Sequence, residues 1–210
     1  MSKVNIHEVL GRGYSSNVFF VESEKNFLVD AGMGISTQIV NQVRKVSEDI
    51  HRIILTHRHV DHVGDAKKLS QDLNAPLYAS EKEAEALRSG DDRTVMGSNF
   101  GRRIPPLEVN KLDEREYSGF KVLKTPGHTE DSICLYHPGE KILLSGDTVF
   151  SHGSVGRTDL PTGNSKELQG SVERLSRLDV NSLYPGHMSV VREGAHDHIQ
   201  RALTGLKFLL

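Results

Sequence analysis

A chain of 210 residues accommodates one large domain or a tight pair of half-domains and is long enough to bury a substantial core. With 26 basic side chains against 28 acidic ones, the formal charge of -2 offers no electrostatic footprint for a polyanion, so no nucleic-acid partner is expected. The longest uninterrupted aliphatic or aromatic run is Val18 to Val21, far below the ~20 residues that cross a bilayer, so no membrane partner is expected either. The segment Met1 to Leu10 lacks the basic stretch, apolar block and small-residue cleavage site of a secretory signal, and the single cysteine, Cys134, cannot form an intrachain disulfide. A cytoplasmic protein is expected, with its oligomeric state left open.

Val4 to Leu10, Asn17 to Glu22 and Asn26 to Asp30 carry β-branched and aromatic residues between Gly11, Gly13 and the polar turn around Ser23, which predicts three strands in an antiparallel meander. Ser36 is placed to cap a helix whose Ile39, Val40, Val43 and Val46 recur at helical spacing, ending near Ser47. Arg52 to Thr56 reads as a buried strand ending at the polar cluster His57 to His62. Val63 to Leu73 is again helical, Pro76 to Ala79 a strand, and Ser80 with Glu83 a capping box for another helix.

Residues Ser89 to Pro106 form a polar loop punctuated by Gly90, Gly97, Gly101 and Pro105-Pro106. Beyond it, Leu107 to Leu112, Phe120 to Thr125, Ser132 to His137 and Lys141 to Ser145 predict strands, and Ser165 to Leu178 and Glu193 to Leu210 predict helices. The last helix carries an apolar stripe of Ile199, Leu203, Leu206 and Leu210, read as packing. Strands first and helices last in each half predict an α+β fold, a four-layer αβ/βα sandwich of two facing mixed sheets with helices outside. The chain is read as a single domain of two similar halves, approximately 1–88 and 107–210.

Histidine is the unusual component. Of eleven, five fall in three short segments beside turn residues. His57-Arg58-His59-Val60-Asp61-His62 sets three imidazoles and a carboxylate in six residues directly after a predicted strand, a donor set for zinc, iron or manganese. In an extended segment His57 and His59 point to the same side and can share an ion. His128 in Thr125-Pro126-Gly127-His128, Asp147 in Ser145-Gly146-Asp147 and His187 in Tyr184-Pro185-Gly186-His187 each follow another predicted strand. Taken singly these would be structural histidines and a turn aspartate; their recurrence at strand ends favours ligands. Seven candidates exceed the usual four ligands of one zinc and suggest two ions sharing Asp147.

On these residues the chain resembles the metallo-β-lactamase superfamily, whose H-x-H-x-D-H signature matches His57 to His62 position by position, with His128, Asp147 and His187 following in order. The segments Gly146 to Phe150 and Gly153 to Pro161 are similar to the branch that holds glyoxalase II hydrolases and persulfide dioxygenases. The resemblance implies that His57, His59 and His128 hold a first ion, that Asp61, His62 and His187 hold a second, and that Asp147 bridges them. It also implies the αβ/βα sandwich, with the ions at one edge of the sheets. Two divalent ions are expected, zinc foremost, with iron or manganese as alternatives. Asp30 matches a position that supports ligands from behind, unless it organises the turn at Gly32.

The resemblance implies hydrolysis of a small-molecule thioester of the hydroxyacylglutathione type, with a zinc-bound water of pKa about 7 as source of the nucleophile and Asp61 as the catalytic proton carrier. Arg157 is the candidate substrate-binding residue, for a substrate carboxylate. Only 23 residues follow His187, too few for the added helical domain of full-length glyoxalase II enzymes, which places glutathione specificity in question. The alternative in the same branch is a persulfide dioxygenase with one iron on His57, His128 and Asp147. A nuclease and a non-catalytic metal module fit less well. Cys134 lies in an apolar strand and reads as packing, and Arg93, Arg102 and Arg103 as a solvated loop rather than an anion trap.

Overall fold

The computed structural model describes residues 4–209. Residues 1–3 of the opening segment and Leu210 of the apolar stripe lie outside the described residues. The chain divides into two compact units, Met1–Leu112 and Asp113–Leu210.

The first unit holds a six-stranded mixed sheet in sequential order. β1 (Asn5–Val9), β2 (Val18–Glu22) and β3 (Phe27–Val29) form the antiparallel meander. β4 (Arg52–Ile54), β5 (Leu77–Ala79) and β6 (Val109–Lys111) then add in parallel. The sequence pattern groups β6 with the second half, but its pairing with β5 puts it in the first sheet. Strand pattern records alternation and not partner, so this choice was invisible in the sequence.

Helix α1 (Ser36–Arg44) presents Ile39, Val40 and Val43 to a core built with Val18, Phe20, Leu28 and Ile53. Burying each such side chain contributes about 1.5–3 kcal/mol, which outweighs the few tenths that a β-branched residue costs in a helix. Ser36 is not the cap expected of it. It is the first helical residue, and the backbone N–H groups of Ile35 and Ser36 donate at 2.7 and 2.8 Å to the carboxylate of Asp65, far along the chain. Arg102 in turn pairs with Asp65 and donates to the Gly64 carbonyl.

The helical stretch after β4 is interrupted, as α2 (Val60–Val63) and α3 (Ala66–Asp72). α4 (Glu81–Ser89) starts at Ser80 without a capping hydrogen bond from that side chain, so the expected capping box does not form; Glu83 is turned into the interior instead. The polar loop contains a short α5 (Asp92–Val95) and a 3-10 turn at Gly97–Phe100.

The second unit is a five-stranded mixed sheet built from β7 (Glu116–Tyr117), β8 (Phe120–Lys124), β9 (Ile133–His137), β10 (Ile142–Gly146) and β11 (Ser182–Pro185), in the order β11-β10-β9-β8-β7. α6 (Ser165–Leu175) and α7 (Ala195–Leu209) cover it. Leu168, Val172 and Leu175 of α6 pack with Ile199, Leu203 and Leu206 of α7 over Leu143 and Leu183, so the stripe of the last helix is core as far as it is described. No helix among the described residues is long and apolar enough to cross a membrane.

Candidate metal centre

In the first unit, β3 and β4 are parallel neighbours, so the chain leaves both at the same sheet edge. Asp30 follows β3 with φ of 63°, a left-handed conformation that Asp tolerates better than most residues. Its backbone N–H donates to Ile54, and its carboxylate, only 2% exposed, becomes the hub of the motif after β4. The Thr56 N–H donates to Asp30 Oδ1 at 2.7 Å, and the Thr56 hydroxyl donates to the same carboxylate at 2.9–3.0 Å. With its proton committed, Thr56 Oγ1 can only accept from His57 Nδ1, 3.1 Å away. His62 Nδ1 donates directly to Asp30 Oδ2 at 2.8 Å. The hydrogen-bond network therefore assigns the ring proton of both histidines to Nδ1 and leaves Nε2 with the lone pair that a metal needs.

His57 and His59 meet edge to face, ring centroids 4.8 Å apart, and their donor nitrogens lie within 4.8 Å of one another. His59 is extended, with φ -61° and ψ 143°, and immediately precedes α2, which carries Asp61 and His62. Asp61 Oδ2 is 3.8 Å from His62 Nε2, and the Asp61 carbonyl accepts from the Ser16 N–H at 3.0 Å.

In the second unit, β8, β10 and β11 run in one direction, which brings their C-terminal ends, and so His128, Asp147 and His187, to one edge. Asp147 Oδ2 lies 3.5 Å from His128 Nε2 and 3.6 Å from His187 Nε2. His128 Nδ1 donates to the Arg157 carbonyl at 2.7 Å, which fixes the same tautomer as in His57 and His62. Two glycines make the packing possible. A Cβ on Gly127, at φ 134°, would fall 2.2 Å from the Leu168 nitrogen, and one on Gly156 would fall 2.0 Å from the Asp147 carbonyl oxygen and 2.9 Å from His128 Nδ1. Asn164 caps α6 and donates its N–H to the Gly127 carbonyl, anchoring the turn before His128.

Imidazole nitrogens with the Nδ1 position already occupied, together with carboxylates, are the donor set that zinc, iron and manganese accept, so the residues of each unit fit a divalent ion.

The sequence profile of the Metallo-beta-lactamase superfamily matches residues 11–187. The chain belongs to the metallo-β-lactamase superfamily. It is 38% identical over 188 residues to the probable metallo-hydrolase MJ0888 of Methanocaldococcus jannaschii, covering 84% of this chain and 89% of that protein. It is 28% identical over 205 residues to the hydroxyacylglutathione hydrolase GloC of Haemophilus influenzae, covering 91% and 94%. Among solved structures, TTHA1623 in a di-iron-bound form is similar with a TM-score of 0.75 and 31% identity, over 88% of this chain and 93% of that one. The BLEG-1 B3 metallo-beta-lactamase matches with a TM-score of 0.79 and 25% identity, over 98% and 99%. The α+β metallo-β-lactamase fold expected from the sequence is the fold of this chain, which is a metal-binding hydrolase of that superfamily.

Two features of this superfamily member lay beyond sequence reasoning. Thr56 links Asp30 to His57, and the Arg157 carbonyl orients His128; neither residue type announces such a role. The Arg157 side chain makes a two-point ion pair with Asp159 at 2.8 and 2.6 Å, with 63% and 68% of the two side chains exposed. The guanidinium holds the Asp159 carboxyl down at about 2, and the carboxylate raises the Arg157 pKa in return. Cys134 is buried against Thr125 and Thr148, and desolvation pushes its thiol up to about 11, so it is no nucleophile.

Proposed function

We propose that this chain hydrolyses a small-molecule thioester of the hydroxyacylglutathione class, with His57, His59 and His128 holding one divalent ion, Asp61, His62 and His187 a second, and Asp147 bridging. The observation that carries this reading is the oxygen partner at Nδ1 of His57, His62 and His128, which draws the ring proton there and leaves Nε2 to bind metal. The likeness to GloC supports the thioester, and that to a di-iron form of TTHA1623 supports two ions; zinc is the first choice, with iron or manganese as alternatives. When bound, the ions supply Lewis acidity and bring the pKa of a coordinated water to about 7.

The protein's own residues do the rest. Asp61, with 19% of its side chain exposed and Oδ2 3.8 Å from His62 Nε2, is placed to take up a proton from the attacking water. As water adds to the acyl carbon one of its protons passes to Asp61; the carbon–sulfur bond then breaks and Asp61 hands that proton to the departing thiolate, giving a carboxylic acid and a thiol. Arg157 receives a substrate carboxylate by exchanging it for Asp159.

The test is metal analysis of the protein purified without added ions, paired with anaerobic thioester cleavage. Two ions per chain and turnover without oxygen are expected. One iron per chain, with oxygen uptake on glutathione persulfide, would replace the hydrolase by a dioxygenase. Asp147→Ala is expected to remove both metal and activity, and Arg157→Ala chiefly to raise KM; equal metal loss in the two would defeat this division of roles.

A further inference from the structure

Between the two ligand histidines of the first unit lies a buried ion pair that hydrolysis does not use. Arg58 is 3% exposed and Glu83, on α4, fully buried, with Arg58 Nε 2.6 Å from Glu83 Oε2. Arg58 Nη1 also donates to Thr94 Oγ1 on α5 at 3.3 Å, and the Thr94 hydroxyl donates to Asp91 Oδ2 at 2.7 Å. One guanidinium is thus gripped by two helices that contribute no ligand.

Side chains alternate along an extended segment, so Arg58 leaves the chain on the side opposite His57 and His59. Two charges have been taken out of water on segments whose neighbouring residues Val60, Ala84, Leu87 and Val95 belong to the apolar core. Such a pair is weak evidence for stability, because well-packed apolar residues often serve as well or better; what it adds is direction. A guanidinium is planar and its donors form a rigid fork. Holding that plane against Glu83 and Thr94 restrains the rotation of the Arg58 peptide units, which lead to His57 and His59. A methionine or leucine could fill the space but would leave this rotation unrestrained.

We propose that the Arg58–Glu83 pair is a positioning device for the metal-ligand loop, kept to hold His57 and His59 in register and not to stabilise the fold. The proposal rests on the reading that His57 and His59 bind an ion, and the experiment separates the two. Zn²⁺ affinity is measured by competition with a chromogenic chelator, beside thermal melts of the metal-free protein, for wild type, His57→Ala, Arg58→Lys and the apolar double variant Arg58→Met/Glu83→Leu. The double variant is expected to melt close to wild type while its Zn²⁺ affinity falls about tenfold or more. Arg58→Lys, which keeps the charge and loses the fork, is expected to fall likewise.

Wild-type affinity in a folded double variant, with binding lost in His57→Ala, overturns the positioning role and leaves the metal reading intact. Absence of Zn²⁺ binding by wild type, or binding unchanged in His57→Ala, removes the reading and the proposal together. Should the double variant lack a cooperative melt, Arg58→Lys carries the test, and unchanged affinity there overturns the proposal. Loss of folding in both would mark the pair as a stability element and overturn it as well.

Discussion

Asp30→Asn isolates the hub of the His57 to His62 motif. Asn also tolerates the left-handed φ of 63° at this position, so the backbone is left alone, and its side-chain oxygen can still accept from Thr56. The other carboxylate oxygen becomes an NH₂ group 2.8 Å from His62 Nδ1, two donors face to face. The imidazole relieves the clash by moving its proton to Nε2, the atom that would bind metal. Replacing charge-assisted by neutral hydrogen bonds costs about 1–2 kcal/mol, a fall in Tm of roughly 2–8 °C for a chain of this size. Zn²⁺ affinity is expected to fall about 10–100-fold, equivalent to about 1.4–2.8 kcal/mol. Chelator competition measures the affinity, and nitrogen–proton couplings of the imidazole report the tautomer by NMR. Zn²⁺ affinity within about twofold of wild type, with His62 still protonated at Nδ1, would refute the reasoning.

Gly156→Ala forces a Cβ against the Asp147 carbonyl and His128; overpacking of about 1–3 kcal/mol and a loss of Zn²⁺ affinity are expected together, and unchanged affinity would show that the loop yields freely. Cys134, with its thiol near 11, is about one part in a thousand thiolate at pH 8, so a disulfide reagent should label it only as fast as the protein unfolds; rapid labelling of the folded protein contradicts this. His198 accepts the His152 N–H at Nδ1, and burial first, then His152 and Arg201, lower its pKa below the usual 6.5. The folded state therefore binds fewer protons than the unfolded state. The stability this contributes is full above pH 6.5 and lost as pH falls through the folded pKa. The gap in Tm between wild type and His198→Ala should shrink from pH 8 to pH 5; a gap independent of pH would exclude the coupling.

The strands and long helices were legible because alternation and the helical period are local properties. β2, β9 and α6 lie within a few residues of where their apolar patterns put them. The ligand candidates were legible for a related reason: His57 to His62 is contiguous, and the dense placement of rare residue types at a strand end carries chemical meaning without coordinates. The partners of those groups could not be read in this way. Asp65 caps a helix that begins 29 residues earlier, Glu83 leaves its capping box for Arg58, and a backbone carbonyl at Arg157 sets the proton on His128. Each choice is a competition between hydrogen-bond partners that tertiary packing alone brings within reach. Sequence names the groups able to bind a metal; the folded chain decides which nitrogen of each is left to do so.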